Sequence, residues 1–161
     1  MRWGFWWLGI LGLPLVLGIG ALILNGASLL GPPGIGERLW VYLTQNLVLT
    51  SPDHRLPELR SRCYRGTPEE LGRQLEEAMR TLGWEILAVG QPSPRRQALI
   101  TSRLWWFHDD LETTLEPGPE GRLCLHIRAA SRIGKGDFGA NRRHVLDLYR
   151  ELARIRGEAA P

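Results

Sequence analysis

Hydrophobic and polar positions divide the chain into two unlike parts. From Trp3 to Gly36 there is no charged residue, and Arg2 is the only charge before Glu37. The run Trp3 to Leu24, WGFWWLGILGLPLVLGIGALIL, has the length of a membrane span, which needs roughly 20 mostly apolar residues. Backbone groups in hydrocarbon must bond within their own segment, so a spanning stretch is helical. Trp3, Trp6 and Trp7 cluster at one end, as amphipathic rings do at a headgroup layer. Pro14 is placed to kink the helix, and Gly9, Gly12, Gly18 and Gly20 give it a smooth face that another helix could approach. The run is longer than the roughly 7–15 apolar residues of a secretory signal, and no clean A-x-A site follows. The expectation is therefore an uncleaved transmembrane anchor over residues 1–30.

Beyond Gly31-Pro32-Pro33-Gly34 the pattern changes. Residues 31–58 read as a linker, with Leu39-Trp40-Val41-Tyr42-Leu43 as a short interfacial helix or strand. An α+β domain is expected over 59–157, and a tail over 158–161. Leu59 to Tyr64 reads as a first strand. Thr67-Pro68-Glu69-Glu70 is a helix start, with Thr67 as N-cap, Pro68 in the first turn and Glu70 completing a capping box. Leu71, Leu75, Met79 and Leu82 follow at helical spacing and Gly83 ends the helix. Strands are predicted at Trp84 to Val89 and Gln97 to Phe107, joined by a turn at Gln91 to Arg95.

Strict alternation marks two further strands. Leu111, Thr113 and Leu115 share one face of the first; Leu123, Leu125, Ile127 and Ala129 share one face of the second. Pro117 to Gly121 is the hairpin loop between them, and Leu115 opposite Leu123 would set Glu112 against His126 and Asp110 against Arg128. After a glycine-rich loop, Ser131 to Gly139, a last helix starts near Asn141. It buries Val145, Leu148, Leu152 and Ile155 and closes at Gly157. The order β-α-β-β-β-β-α predicts an antiparallel sheet with both helices on one face.

Charge changes this picture little. The net charge is +3 with both signs interspersed, which argues against a nucleic-acid partner. It bears weakly on topology: Arg2 precedes the apolar run and only Arg38, offset by Glu37, follows closely, which sets the N-terminus inside and the domain outside. Cys63 and Cys124 are too few for a disulfide framework. Cys124 falls on the outer face, and pairing with Cys63 depends on whether their Cα atoms come within about 7 Å.

Candidate chemistry centres on the end of the sheet and the loop after it. Asp110 is expected as an exposed ion pair, and Asp109 as a buried carboxylate answered by Arg132 or the loop N–H groups. Two readings stay open. In one, Asp109 and Asp137 form a general acid/base pair with Arg128 or Arg132 holding an anion. In the other, Asp109 ties the loop and last helix to the sheet. The loop itself, with Arg132, Lys135, Arg142 and Arg143 around a helix N-terminus, would suit an anion or serve as a rigid turn. It is neither a Walker A loop nor a dinucleotide fingerprint, no G-x-S-x-G elbow occurs, and His54, His108, His126 and His144 lack metal-ligand spacing. No metal, cofactor or catalytic constellation is expected.

Phe107-x-Asp109-Asp110-Leu111, followed by Arg128-Ala-Ala-Ser131-Arg132-Ile-Gly134-Lys135-Gly-Asp137-Phe-Gly139-Ala-Asn141-Arg142-Arg143, resembles the signature of domain-of-unknown-function family 1499. The run Thr50 to His54 and the Trp84 strand fit it as well, so the resemblance covers roughly Asn46 to Ile155. Two positions depart from the pattern: Ala129, where the family usually has serine, and His144, where it often has arginine. The resemblance implies an envelope or organellar setting and no established reaction. The functional expectation is a membrane-anchored, non-enzymatic binding module in contact with membrane lipids, possible as an accessory subunit of a membrane protein complex. The alternative is an enzyme or carrier for a small anionic or lipid-like ligand outside the cytoplasm.

Overall fold

The structure, a computed structural model, describes residues 4–87, 95–102 and 107–158, the side chains of residues 4–11 excepted. Four α-helices and six strands follow one another: α1 (Gly4–Leu24), α2 (Ile35–Thr44), β1 (Leu47–Leu49), β2 (Arg62–Tyr64), α3 (Pro68–Thr81), β3 (Glu85–Leu87), β4 (Arg95–Thr101), β5 (His108–Pro117), β6 (Leu123–Ser131) and α4 (Ala140–Arg156). The strands form one antiparallel sheet in the order β1-β6-β5-β4-β3, with β2 also paired to β6. β1 and β2 thus share one edge of β6, opposite its C-terminal and N-terminal halves.

Alternation sets the core. Ala98 and Ile100 of β4, Leu111, Thr113 and Leu115 of β5, and Leu125, Ile127 and Ala129 of β6 are all buried. They pack against Leu71, Leu75 and Met79 of α3 and Val145, Leu148, Tyr149 and Leu152 of α4. α3 forms as its sequence predicts: the Thr67 hydroxyl accepts from the Glu70 N–H at 3.2 Å, and Pro68 occupies the first turn, where no N–H is needed. Gly83, at φ 74°, takes the left-handed conformation that ends the helix, and the Trp84 N–H returns to the Met79 carbonyl.

Several expectations need correction. β1 lies within residues 31–58, read from the sequence as linker. Its three residues are too short for a period to register, yet pairing with Leu47↔Ala130 and Leu49↔Arg128 buries Val48 in the core. The first strand shortens to β2, because Pro57–Leu59 forms a 3-10 turn. The Leu39–Leu43 segment takes the helical of its two expected forms, as part of α2, with Arg38 and Tyr42 buried and Trp40 outward at 66 % exposure. The β5–β6 register moves by two residues: Leu115 faces Leu125, Glu112 faces Arg128 and Asp110 faces Ala130. Glu120 and Gly121 take φ of 57° and 68°, so the chain reverses within Pro119–Gly121 and β5 continues to Pro117. A shift of two leaves every side chain on its expected face.

β3 ends at Leu87, and β4 at Thr101. Ala88, Val89, the Gln91–Ser93–Pro94 turn, and Trp105 and Trp106 lie outside the described residues. α1 runs as one helix through Pro14. Among the described residues no helix is long and apolar enough to cross a membrane; the side chains of α1 are described from Gly12 onward.

Cys63 and Cys124 face each other across β2 and β6 and are joined in a disulfide, with Cα atoms 3.9 Å apart. It closes a loop across 61 positions of sequence. Replacing both cysteines with serine is expected to lower unfolding free energy by about 2–4 kcal/mol through loss of that constraint on the unfolded chain. The midpoint of chemical denaturation of the full chain in detergent measures it.

Candidate functional site

The glycine-rich loop connects the end of β6 to α4 and folds over the start of the sheet. Its backbone is held by the α2–β1 junction: the Asp137 N–H donates to the Gln45 carbonyl, the Phe138 N–H to Tyr42, and the Ser131 N–H to Asn46. Gly136 packs so closely on the Leu43 carbonyl that a Cβ there would collide with it, and Gly139 is buried at φ 84°. These two positions require glycine for contact and for conformation.

Asp137 turns its carboxylate back onto α4. One oxygen accepts from the Gly139 N–H at 2.8 Å and the other from the Asn141 N–H at 2.9 Å. The donors that would bind an external anion at this helix terminus are therefore occupied by the chain's own carboxylate. Burial raises the Asp137 carboxyl above its ordinary range, outweighing these N–H bonds.

Asp109 is buried on the helix side of β5. It accepts a hydrogen bond from His144 Nε2 at 2.9 Å, and the Ser131 hydroxyl also donates to it. Burial opposes its ionisation, but these two bonds prevail and hold the carboxyl below its usual range. Asn141 extends the chain of contacts: its side-chain N–H group reaches the Ser131 hydroxyl at 3.0 Å and the Asn46 carbonyl at 2.9 Å. His144, Asp109, Ser131, Asn141 and Asp137 thus form one connected polar network. The edge of Trp84 lies against the His144 ring.

The expected partners of Asp109 were Arg132 or the loop N–H groups, and register explains the difference. Asp109 pairs with Ser131, so both point toward the helices. Arg132 falls on the other face, beside Asp110, and makes two hydrogen bonds to it at 2.7 and 2.9 Å. Arg128, on that face too, is exposed opposite Glu112. Neither arginine joins Asp109 and Asp137 in one site. Ser131 bonds to Asp109 and not to His144, so the serine, histidine and aspartate do not form a nucleophile–base relay. Gly134 accepts from the Asn46 side chain, and Lys135 is exposed.

A second cluster, which the sequence reading missed, sits where the segment after α1 meets the domain. Arg38 is 3 % exposed and donates two hydrogen bonds to Glu58, at 2.8 and 3.1 Å. Arg142 donates to the same carboxylate at 2.8 Å. Further guanidinium donors bind the connector backbone: Arg38 reaches the carbonyls of Ser28 and Pro32, and Arg142 that of Gly26. Arg143 donates to the Leu24 carbonyl, and the Asn25 side chain to that of Phe138. Burial works against the Glu58 charge, yet the two arginines pull its carboxyl down to about 2. The first arginine after a long charge-free run, four residues before Tyr42, was the available signal for half of this cluster.

A family model described as "Protein of unknown function (DUF1499)" matches residues 41–152. The chain belongs to this family. The match contains the whole polar network, Glu58 and Arg142, and begins after Arg38. No curated protein matches the chain at a significant level.

Two outcomes follow. Asp137→Ala is expected to cost about 1–2 kcal/mol by freeing two helix N–H groups, and Asp137→Asn to recover part of it, in chemical denaturation. Glu58→Gln is expected to cost about 2–4 kcal/mol at neutral pH, less than a fully buried pair because 22 % of the Glu58 side chain stays exposed. The Glu58 carboxyl is depressed in the folded state, so its contribution is full above 4.5 and is lost as pH falls toward about 2. In that window the stability difference between the native chain and Glu58→Gln should shrink; a constant difference would contradict the assignment.

Proposed function

We propose that this chain is a membrane-anchored, non-catalytic binding or interaction module, serving as an accessory subunit of a larger membrane protein complex. The observation that carries the reading is the clamp of Arg38, Glu58 and Arg142 on the backbone just after α1. A domain on a loose tether needs no such junction. A domain that must present one surface at a fixed angle to its anchor does, and buried ion pairs are best suited to fixing geometry.

Other features support it. The charge-free run from Trp3 to Gly36 has the composition of an anchor. Gly12 and Gly20 have open space beside their Cα atoms, which suits close approach of a second helix. Trp40 and Leu43 point outward from α2, as in a segment lying at a headgroup layer. The Cys63–Cys124 disulfide favours an oxidising compartment, in agreement with a domain outside the cytoplasm. A catalytic role for Asp109 and Asp137 has less support, since both carboxylates are engaged within the fold.

Native mass spectrometry of the protein, extracted gently from its own membrane, tests the proposal. An added protein mass is expected. An added small mass would favour a carrier instead, and a bare monomer throughout would overturn the subunit reading.

A further inference from the structure

A cleft of about 480 Å³ opens at the far end of α4 from the anchor junction. Arg143, near one end of that helix, touches Leu24, whereas Arg156, at its other end, lines the cleft; the helix between them spans roughly 20 Å at 1.5 Å per residue. Four arginines, Arg62, Arg65, Arg122 and Arg156, line this one space, with Glu158 the single carboxylate among the lining residues.

Their partners are unequal. Arg156 is fully engaged, by Glu158, the Gln74 side chain and the Arg65 carbonyl. Arg122 pairs with Glu120 at 3.1 Å through one terminal nitrogen, but its Nε is buried and makes no hydrogen bond. Arg62 lies over the Tyr149 ring at 4.0 Å. Among the described residues, neither Arg62 nor Arg65 has a carboxylate partner. Like charges gathered in excess of counter-charge repel one another, and planar guanidinium forks match the oxygens of phosphate and carboxylate groups. The wall is rigid: Cys63 is held by its disulfide to Cys124, and Tyr64 is buried beneath the Arg156 side chain.

We propose that this cleft binds a small, soluble, multiply charged anion of the phosphate class. The anion adds the charge that Arg62 and Arg65 lack. The glycine-rich loop is not a competing site, since Asp137 already occupies its helix terminus. The position remote from α1 selects a soluble anion over a lipid headgroup of the anchoring membrane.

The test is isothermal titration of inorganic pyrophosphate into the full chain in nanodiscs of zwitterionic lipid. Saturable one-to-one binding is expected, weakened at least tenfold by Arg65→Gln and by Arg122→Gln and unchanged by Lys135→Gln. Among the described residues the exposed Arg65 side chain holds no other element in place, so that variant reports on the cleft even if Arg122→Gln fails to fold. Absence of saturable binding, or native affinity in Arg65→Gln, would overturn the proposal. So would loss of pyrophosphate binding when phosphatidylglycerol is added to the same discs, which would make a headgroup the occupant.

Discussion

The carboxylate of Glu58, held between the guanidinium groups of Arg38 and Arg142, is the interaction on which the arrangement of this molecule depends. It joins three stretches that are distant in sequence: α2, the turn before β2, and the first turn of α4. Each arginine then uses its remaining donors on backbone carbonyls of the segment between α1 and α2. Removing any one member would leave charge behind in a largely dry place. The direction in which α1 leaves the domain is thereby fixed by side chains of the domain itself.

The polar network beside it solves a related problem. α4 must start beneath a sheet whose nearest residue is an ionised, buried aspartate. Asp137 satisfies the helix N–H groups, Asn141 ties the first turn to Ser131 and the α2–β1 junction, and His144 supplies a hydrogen-bond donor to Asp109. Ala129 is fully buried opposite Leu111 and Val48, a place that suits a small apolar side chain.

Much of the fold was legible in the sequence, for local reasons. Thr67, Pro68 and Gly83 punctuate α3, and strict alternation in β5 and β6 assigns each residue to a face. The α+β class and the antiparallel sheet follow from those elements. What escaped detection depends on distance. β1 has three residues and acquires meaning only beside β6. The register slipped because the hairpin turn depends on the backbone angles of Glu120 and Gly121, which composition does not reveal. Asp109 was placed on the correct face, but its partner lies 35 positions away on a helix, and Arg38, Glu58 and Arg142 meet only through tertiary structure. The cysteines meet because β2 and β6 are neighbours, which the sequence order conceals.

The pairing of β1 and β2 with β6 has a consequence for how the chain is made. The first two strands to leave the ribosome have as their partner the last strand, with α3 and three other strands emerging in between. Neither can join the sheet until residues 123–131 are available, so the sheet closes from its end toward its beginning. Over that interval Cys63 is a free thiol, Val48 has no core to enter, and Glu58 waits for Arg142. The segment next to α1 is thus the last to settle, and synthesis of the whole domain precedes the fixing of its angle to α1.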